Sequence, residues 1–141
     1  MKKQQLLNVL NQAPDSVSLH DAGLLRFEMQ NNRISFLIYI GEYHYYVNNF
    51  ESYVDDIKSQ TVLTLTFDGI KDFEGSFVNN FLFEDAEIVS NEEENGIFTM
   101  TVRDIEGTGR FAFKYDSFRW DFIGEFSWEA LEEWVKNEKN K

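Results

Sequence analysis

Alternating hydrophobic and polar positions dominate the middle of the chain, whereas helical spacing occurs near its two ends. Leu6, Leu7 and Leu10 recur at helical spacing before Pro14, which predicts a short helix over residues 2–12. Beyond it the period changes to two residues, the period of a half-buried strand. The alternation predicts strands at 22–29, 33–40, 61–67, 77–83, 86–89, 97–102, 109–115 and 118–123.

A second helical pattern follows Ser127, a favourable N-cap residue. Trp128, Leu131, Trp134 and Val135 mark one face of this predicted C-terminal helix, which should pack on the sheet. Many short strands between two terminal helices indicate a mainly β, α+β fold in one domain, 1–141. We expect an antiparallel sheet curled into a sandwich or partial barrel, with short N-terminal and C-terminal helices.

Turn residues predict how several strands connect. Asn31 and Asn32 tolerate the left-handed conformation of a tight hairpin turn between 22–29 and 33–40. Residues 41–60 read as a strand followed by a long loop, and residues 90–96 as a charged hairpin loop with a solvated tip. An Asp116-Ser117 turn would pair 109–115 with 118–123 and place Lys114 opposite Arg119 on the outward face.

The charge of the chain limits its partners. Lys and Arg number 13 and Asp and Glu 25, which gives a net charge of −12. Such a field repels nucleic acid and anionic membranes and attracts basic proteins, at rates that fall as salt rises. Cysteine is absent, which fits a reducing compartment. No export signal or membrane-spanning run is recognisable, so a cytoplasmic protein is expected.

The sequence carries little catalytic chemistry. No phosphate-binding loop, nucleophile elbow or zinc-binding helix motif is present, so we expect no enzyme and no cofactor. His20 and Asp21 are adjacent, and neighbouring residues of an extended chain point to opposite sides. A structural role is favoured for them, with one side chain bonding to backbone where helix gives way to sheet. The carboxylate clusters match no calcium-binding loop, so we expect no metal site.

Two kinds of residue are candidates for binding a partner protein. Tyr43, Tyr45 and Tyr46 could offer rigid amphipathic rings to an interface, although alternate rings could instead fill the core. The acidic candidates would act collectively on a basic surface: Asp55, Asp56, Glu92, Glu93 and Glu94. Replacing Asp55 and Asp56 by Asn should therefore slow association with such a partner.

Three segments carry a family resemblance. Leu19-His20-Asp21-Ala22 leads into a hydrophobic strand, Leu65-Thr66-Phe67-Asp68-Gly69-Ile70 lies at the centre, and an aromatic strand closes the pattern. In these features the chain resembles a group of small, mostly uncharacterised bacterial proteins that includes immunity proteins of polymorphic toxin systems. The resemblance implies a partner-binding protein without catalytic residues.

Three functions follow as expectations. The leading one is an acidic protein-binding module, such as an immunity protein that neutralises a cationic toxin, acting as a monomer or weak dimer. The alternative is a small-molecule-binding β-barrel, whose aromatic-lined pocket would be reached from Tyr43, Tyr45 or Trp120. The third is a homo-oligomer joined through strand 33–40, which is apolar on both faces.

Overall fold

The computed structural model describes residues 2–49, 60–75, 81–82, 86–104 and 107–139, and antiparallel strands make up more than half of these described residues. The helices are α1 Lys2–Leu10, α2 Glu42–Val47 and α3 Trp128–Lys139. The strands are β1 Gly23–Gln30, β2 Arg33–Ile40, β3 Gln60–Asp68, β4 Lys71–Gly75, β5 Phe81–Leu82, β6 Glu87–Glu94, β7 Ile97–Asp104, β8 Gly107–Lys114 and β9 Ser117–Phe126. The predicted fold class is therefore confirmed.

The described strands form one open sheet that curls on itself. Its order is β4-β8-β7-β6-β1-β2-β3-β9, with β5 pairing β1 beside this path, and each of these pairings is antiparallel. The ring of Phe67 on β3 lies 4.7 Å from Phe98 on β7 and 4.9 Å from Phe113 on β8. Because residues from opposite ends of the sheet pack ring on ring, the two halves enclose one aromatic core.

Two helices cover parts of this sheet. Leu6 and Leu10 of α1 are buried in the main core, as their helical spacing predicts. Helix α3 covers the outward face of the sheet, where Leu131 packs with Leu37 and Val62. Ser127 caps α3 by accepting a hydrogen bond from the Ala130 N–H, at 3.2 Å. The second apolar face of β2 is thus covered by the chain's own helix.

The first hairpin follows the sequence prediction. β2 has the predicted bounds, and Asn31 and Asn32 have φ values of 53° and 64° between the paired residues Gln30 and Arg33. Left-handed conformation at both central residues matches the right-handed twist of the flanking strands. The predicted strand 77–83 lies mostly outside the described residues, which include its Phe81–Leu82 part as β5.

The predicted charged loop at 90–96 is wrong. β6 continues as a strand through Glu94, and its turn consists of Asn95 and Gly96, with φ values of 55° and 78°. Asn-Gly is a strong two-residue hairpin signal. Pairing with the apolar strand β7 extends the ladder through the glutamates, because alternate residues of β6 can point to solvent while the backbone stays paired.

The predicted last hairpin is also wrong. β8 pairs with β7 and β4, whereas β9 pairs with β3, so the chain crosses between the two halves of the sheet at Tyr115 and Asp116. The aromatic residues of β8 and β9 still meet in the core, as the 6.2 Å between the Tyr115 and Phe118 rings illustrates. They meet by packing across the core and not by pairing along a ladder.

The expected like-charge pair on the outward face is consequently absent from the structure. Arg119 lies opposite Thr66, and its Nε–H donates to Asp121 at 3.0 Å. Lys114 instead lies opposite Ile97 of β7 and Lys71 of β4, and its Nζ lies 3.5 Å from an Asp72 carboxylate oxygen. No helix in the described part of the chain is long and apolar enough to cross a membrane.

Candidate binding surface

Helix α2 replaces the strand predicted after residue 41, and it sorts the candidate tyrosines into two groups. Tyr43 is 52% exposed, Tyr46 74% and Val47 42%. These three positions are spaced i, i+3 and i+4, so they share one face of the helix. Their side chains form an exposed stripe, which we call the α2 stripe. Exposed aromatic side chains grouped in this way are typical of protein-binding surfaces.

Tyr45 points the other way and is fully buried. Its hydroxyl is hydrogen-bonded to the Thr61 hydroxyl, which is also buried. A buried Tyr needs such a partner for its polar end, so this bond explains why Thr61 is tolerated inside. Tyr45 is a core residue and is not available to a partner. The alternative in which some of the rings fill the core is therefore correct for Tyr45.

His44 fixes the orientation of α2 from inside. The Gly41 N–H donates to His44 Nδ1 at 3.1 Å, and His44 Nε2 lies 2.9 Å from the backbone oxygen of His20. Because Nδ1 accepts a hydrogen bond, Nε2 carries the proton and the ring is neutral. Burial lowers the pKa of His44, outweighing the opposing bond to the His20 carbonyl. His44 thus has a structural role behind the α2 stripe.

His20 and Asp21 also have the structural role that was predicted. His20 Nδ1 lies 2.9 Å from the Val89 carbonyl oxygen and donates to it, and the Asp21 N–H donates to Ile88 O at 2.8 Å. Both contacts tie the end of the N-terminal segment to β6. His20 Nε2 lies 3.5 Å from an Asp21 carboxylate oxygen, and both side chains are half-exposed.

Two asparagines hold α2 and β6 against the same extended segment. Asn91 on β6 accepts from the Leu19 N–H and donates to Val17 O, each at 2.9 Å. Asn48, which follows α2, accepts from the Ser18 N–H at 2.8 Å and donates to Ser18 O at 3.1 Å. One amide group supplies a donor and an acceptor, so each side chain pairs with backbone as a neighbouring strand would. The α2 stripe is thereby anchored to the sheet.

The three candidate glutamates do not form one cluster. Glu92 and Glu94 lie opposite Thr99 and Ile97 and are exposed. Glu93 lies opposite Phe98, is half-buried, and accepts a hydrogen bond from the Tyr115 hydroxyl. Burial raises the pKa of Glu93, and the Asp15 carboxylate adds to the effect. Strand alternation therefore removes Glu93 from the surface that carries Glu92 and Glu94.

The remaining acidic candidates, Asp55 and Asp56, lie outside the described residues. Among the residues that are described, no three His, Asp or Glu side chains are grouped closely enough to hold a metal ion. Val47 was missed in the sequence, since the helical spacing that joins it to Tyr43 and Tyr46 is visible only once 42–47 is read as a helix. The signal was present as i, i+3, i+4 spacing, but the β-propensity of tyrosine favoured a strand.

Among the described residues, no pocket opens at the entrances expected for a small-molecule binder. Tyr45 and Trp120 are packed in the core, where Trp120 is 2% exposed. Two grooves of about 520 and 190 Å³ lie on the outward face of the sheet, and Tyr43, Tyr45 and Trp120 line neither. Compared with known proteins, the chain matches no family model, no curated protein and no solved structure, so its resemblance to immunity proteins stays a prediction.

Proposed function

We propose that this chain is a non-catalytic protein-binding module that docks a basic protein, such as a cationic toxin, through the α2 stripe. The observation that carries the proposal is the exposure of Tyr43, Tyr46 and Val47 on one helix face of a chain with a net charge of −12. Tyrosines contribute large rigid contact areas and are frequent hot spots. The negative field would accelerate encounter with a basic partner.

The rigidity of α2 supports this role. His44, Tyr45 and Asn48 hold the helix from its buried side and its end, through contacts to His20, Thr61 and Ser18. A surface that is already ordered loses less conformational entropy on binding than a flexible loop would. The α2 stripe therefore combines exposed anchors with a supported backbone, which favours affinity.

Affinity capture with matched baits tests the proposal. Wild type, a Tyr43→Ser/Tyr46→Ser double variant and an Ile97→Ser control would each be immobilised and exposed to lysate of the source organism at low and high salt. Ile97 is a suitable control because it is 39% exposed at the tip of the β6–β7 hairpin. Substitutions at such exposed positions usually change stability by less than about 0.5 kcal/mol.

We expect one basic protein to be retained at low salt by wild type and by the control, and to be lost from the double variant. Loss of two tyrosine anchors at roughly 1–2 kcal/mol each corresponds to about a hundredfold weaker binding. High salt should release the partner from wild type. Equal recovery by the double variant, or retention that salt does not change, would contradict the proposal.

A further double variant separates the effect of negative charge on binding from the effect of the tyrosine rings. Glu92→Gln/Glu94→Gln removes two exposed carboxylates of β6 that lie outside the α2 stripe. With the captured partner, this variant should associate more slowly at low salt and dissociate at the wild-type rate, because distant charges act on encounter. The tyrosine variant should show the reverse, a faster dissociation. Surface plasmon resonance measures both rates.

A further inference from the structure

The two histidines of the chain, His20 and His44, use their ring nitrogens differently. The His44 ring accepts from the Gly41 N–H at Nδ1, at 3.1 Å, and donates from Nε2 to His20 O, at 2.9 Å. The His20 ring donates from Nδ1 to Val89 O at 2.9 Å, and its Nε2 lies 3.5 Å from an Asp21 carboxylate oxygen. His20 can therefore take a second proton on a nitrogen that faces a carboxylate, whereas the corresponding nitrogen of His44 already accepts a hydrogen bond.

A second proton on His44 would replace a hydrogen bond by a repulsive contact. Nδ1 would become a donor and would face the Gly41 N–H, also a donor, across 3.1 Å. His44 is 6% exposed, so water has little access to the groups that would lose their partner. A buried donor without an acceptor and a buried charge without a partner are both unfavourable. The protonated ring is therefore not compatible with the position that the neutral ring occupies.

Few charged groups surround His44 in the described part of the chain. Burial lowers the pKa of His44, the bond to His20 O and the Asp21 carboxylate raise it, and the His20 ring lowers it. Among the described residues, Asp21 is the one carboxylate that acts on His44, and it already lies 3.5 Å from His20 Nε2. Other polar side chains that neighbour His44 or Gly41 from α2 and β3 are of uncharged types: Tyr43, Tyr45, Gln60 and Thr61.

The ring of His44 lies directly behind the α2 stripe. It contacts the Tyr43 ring in a perpendicular arrangement, with the ring centroids 5.3 Å apart. The N–H groups of His44 and Tyr45 both donate to Gly41 O, at 3.0 and 3.2 Å, so the first turn of α2 is built on the same residue that His44 Nδ1 binds. A helix of six residues depends on such contacts, because few hydrogen bonds lie within it. Losing the bond between His44 and Gly41 would therefore free the turn where the stripe begins.

We propose that protonation of His44 releases α2, so that the α2 stripe is ordered at neutral pH and is lost in mild acid. The direction follows from the bonding, since only the neutral ring can accept from the Gly41 N–H. This inference deepens the proposed function and rests on it, because it gives the partner-binding surface a control by pH. A basic partner that is held at neutral pH would be released as the solution is acidified.

An NMR pH titration of the isolated, isotope-labelled chain tests the release of α2 without a partner. Between about pH 8 and about pH 5 it follows the ring nitrogens of His44 and the Cα shifts of Tyr43 and Tyr46. The amide signals of Phe36 and Leu65, both fully buried, report on the core. We expect Nδ1 of His44 to be unprotonated at the start. As the ring gains its second proton, the two tyrosine shifts should move to unfolded values with the same midpoint, while the core signals stay unchanged.

Two single variants are matched controls. His44→Gln keeps a side-chain acceptor and donor but does not titrate, so its α2 signals should not change with pH. His20→Gln removes the other histidine and leaves the backbone oxygen that His44 binds, so it should retain the wild-type transition. Hydrogen exchange of the Tyr45 amide, which donates to Gly41 O, gives a second readout. Its protection should fall by about threefold or more on acidification in wild type and His20→Gln, and stay constant in His44→Gln.

Three results of the wild-type titration would overturn the inference, and none of them depends on a variant that folds. In the first, the His44 ring takes its second proton while the Tyr43 and Tyr46 shifts stay helical, because the ring turns towards Asp21 inside an intact α2. In the second, the core signals change with the same midpoint, which indicates global unfolding. In the third, the His44 ring stays neutral down to about pH 5.

The partner captured by the α2 stripe supplies a separate readout in surface plasmon resonance. Its dissociation from wild type should be about fivefold faster or more at pH 5 than at pH 7.5. His44→Gln should show no such acceleration, although it shares the titration of every surface carboxylate with wild type. Equal acceleration in both would contradict the inference. If no partner is captured, the proposed function fails, while the titration still decides whether His44 releases α2.

Discussion

Replacing Asn91 tests how much its side-chain hydrogen bonds to residues 17–19 stabilise the fold. Asn91→Ala would remove the acceptor of the Leu19 N–H and the donor to Val17 O, both at 2.9 Å. Val17 and Leu19 are 4% and 0% exposed, so the backbone groups beside them have restricted access to water. Asn48→Ala removes the same chemistry from Ser18, whose bonds are exposed. The two variants differ in the burial of these bonds and in one further bond, from Asn48 to His44 O.

The magnitudes follow from that difference. A buried backbone group left without a partner costs about 1–3 kcal/mol, whereas a group that water can reach costs far less. Asn91→Ala should therefore lower the free energy of unfolding by about 2–4 kcal/mol. Asn48→Ala should lower it by about 0.5–1 kcal/mol, part of which comes from the bond to His44 O at the end of α2.

Urea denaturation followed by circular dichroism measures both values. With a slope of roughly 2 kcal/mol per molar, the midpoint should fall by about 1–2 M for Asn91→Ala and by less than about 0.5 M for Asn48→Ala. The slope itself should not change, since the fold is retained. Equal losses, or a larger loss for Asn48→Ala, would refute the reasoning that burial of the unpaired backbone groups sets the cost.

Two further predictions concern His44 and Gly23. Burial lowers the pKa of His44 below 6.5 in the folded state, so the unfolded chain binds the proton more readily. The contribution of neutral His44 to the stability of the fold is therefore complete above pH 6.5 and is lost as pH falls through the folded pKa. The stability of wild type relative to His44→Gln, a non-titrating variant, should fall in urea titrations below pH 6.5 and stay constant above it; a pH-independent difference would contradict this. The ring of Tyr39 covers Gly23, so Gly23→Ala should displace that ring from Trp128 and cost about 1–3 kcal/mol. Gly124→Ala, whose new Cβ would lie 3.2 Å from the Phe126 ring, should cost less, and equal losses in thermal melts would count against the Tyr39 explanation.

Local patterns sufficed for most strands and for the two terminal helices. Strand β2 has its predicted bounds because alternation and the Asn31-Asn32 turn act within a few residues. Local patterns did not predict which strands pair with each other. β8 and β9 are separated by two residues yet pair with different strands, an arrangement in which Phe67 of β3 packs against rings of β7 and β8. That energy comes from residues far apart in sequence.

The α2 stripe exists because residues 42–47 form a helix, although the intrinsic propensity of their tyrosines favours a strand. Tyrosine favours strands, and 41–47 contains three tyrosines, so the segment reads as a strand. In α2 the adjacent residues His44 and Tyr45 are both buried, which a strand would place on opposite faces. The bonds to His20 O and to Thr61 stabilise the helical arrangement. Because both partners lie outside the segment, its own sequence could not decide between the helical spacing of Tyr43, Tyr46 and Val47 and the strand that tyrosine favours.

The asparagines at 11, 48 and 91 show a further limit of sequence patterns. Asn11 accepts from the Trp120 N–H at 2.8 Å and lies 3.4 Å from Trp120 O, so it pairs with the backbone of β9 as the other two pair with residues 17–19. Asparagine is depleted in strands and reads as a loop residue. Its amide nevertheless reproduces the donor and acceptor of a peptide group. The partner in each case is backbone, which every residue type provides, so no motif or spacing marks the contact in the sequence.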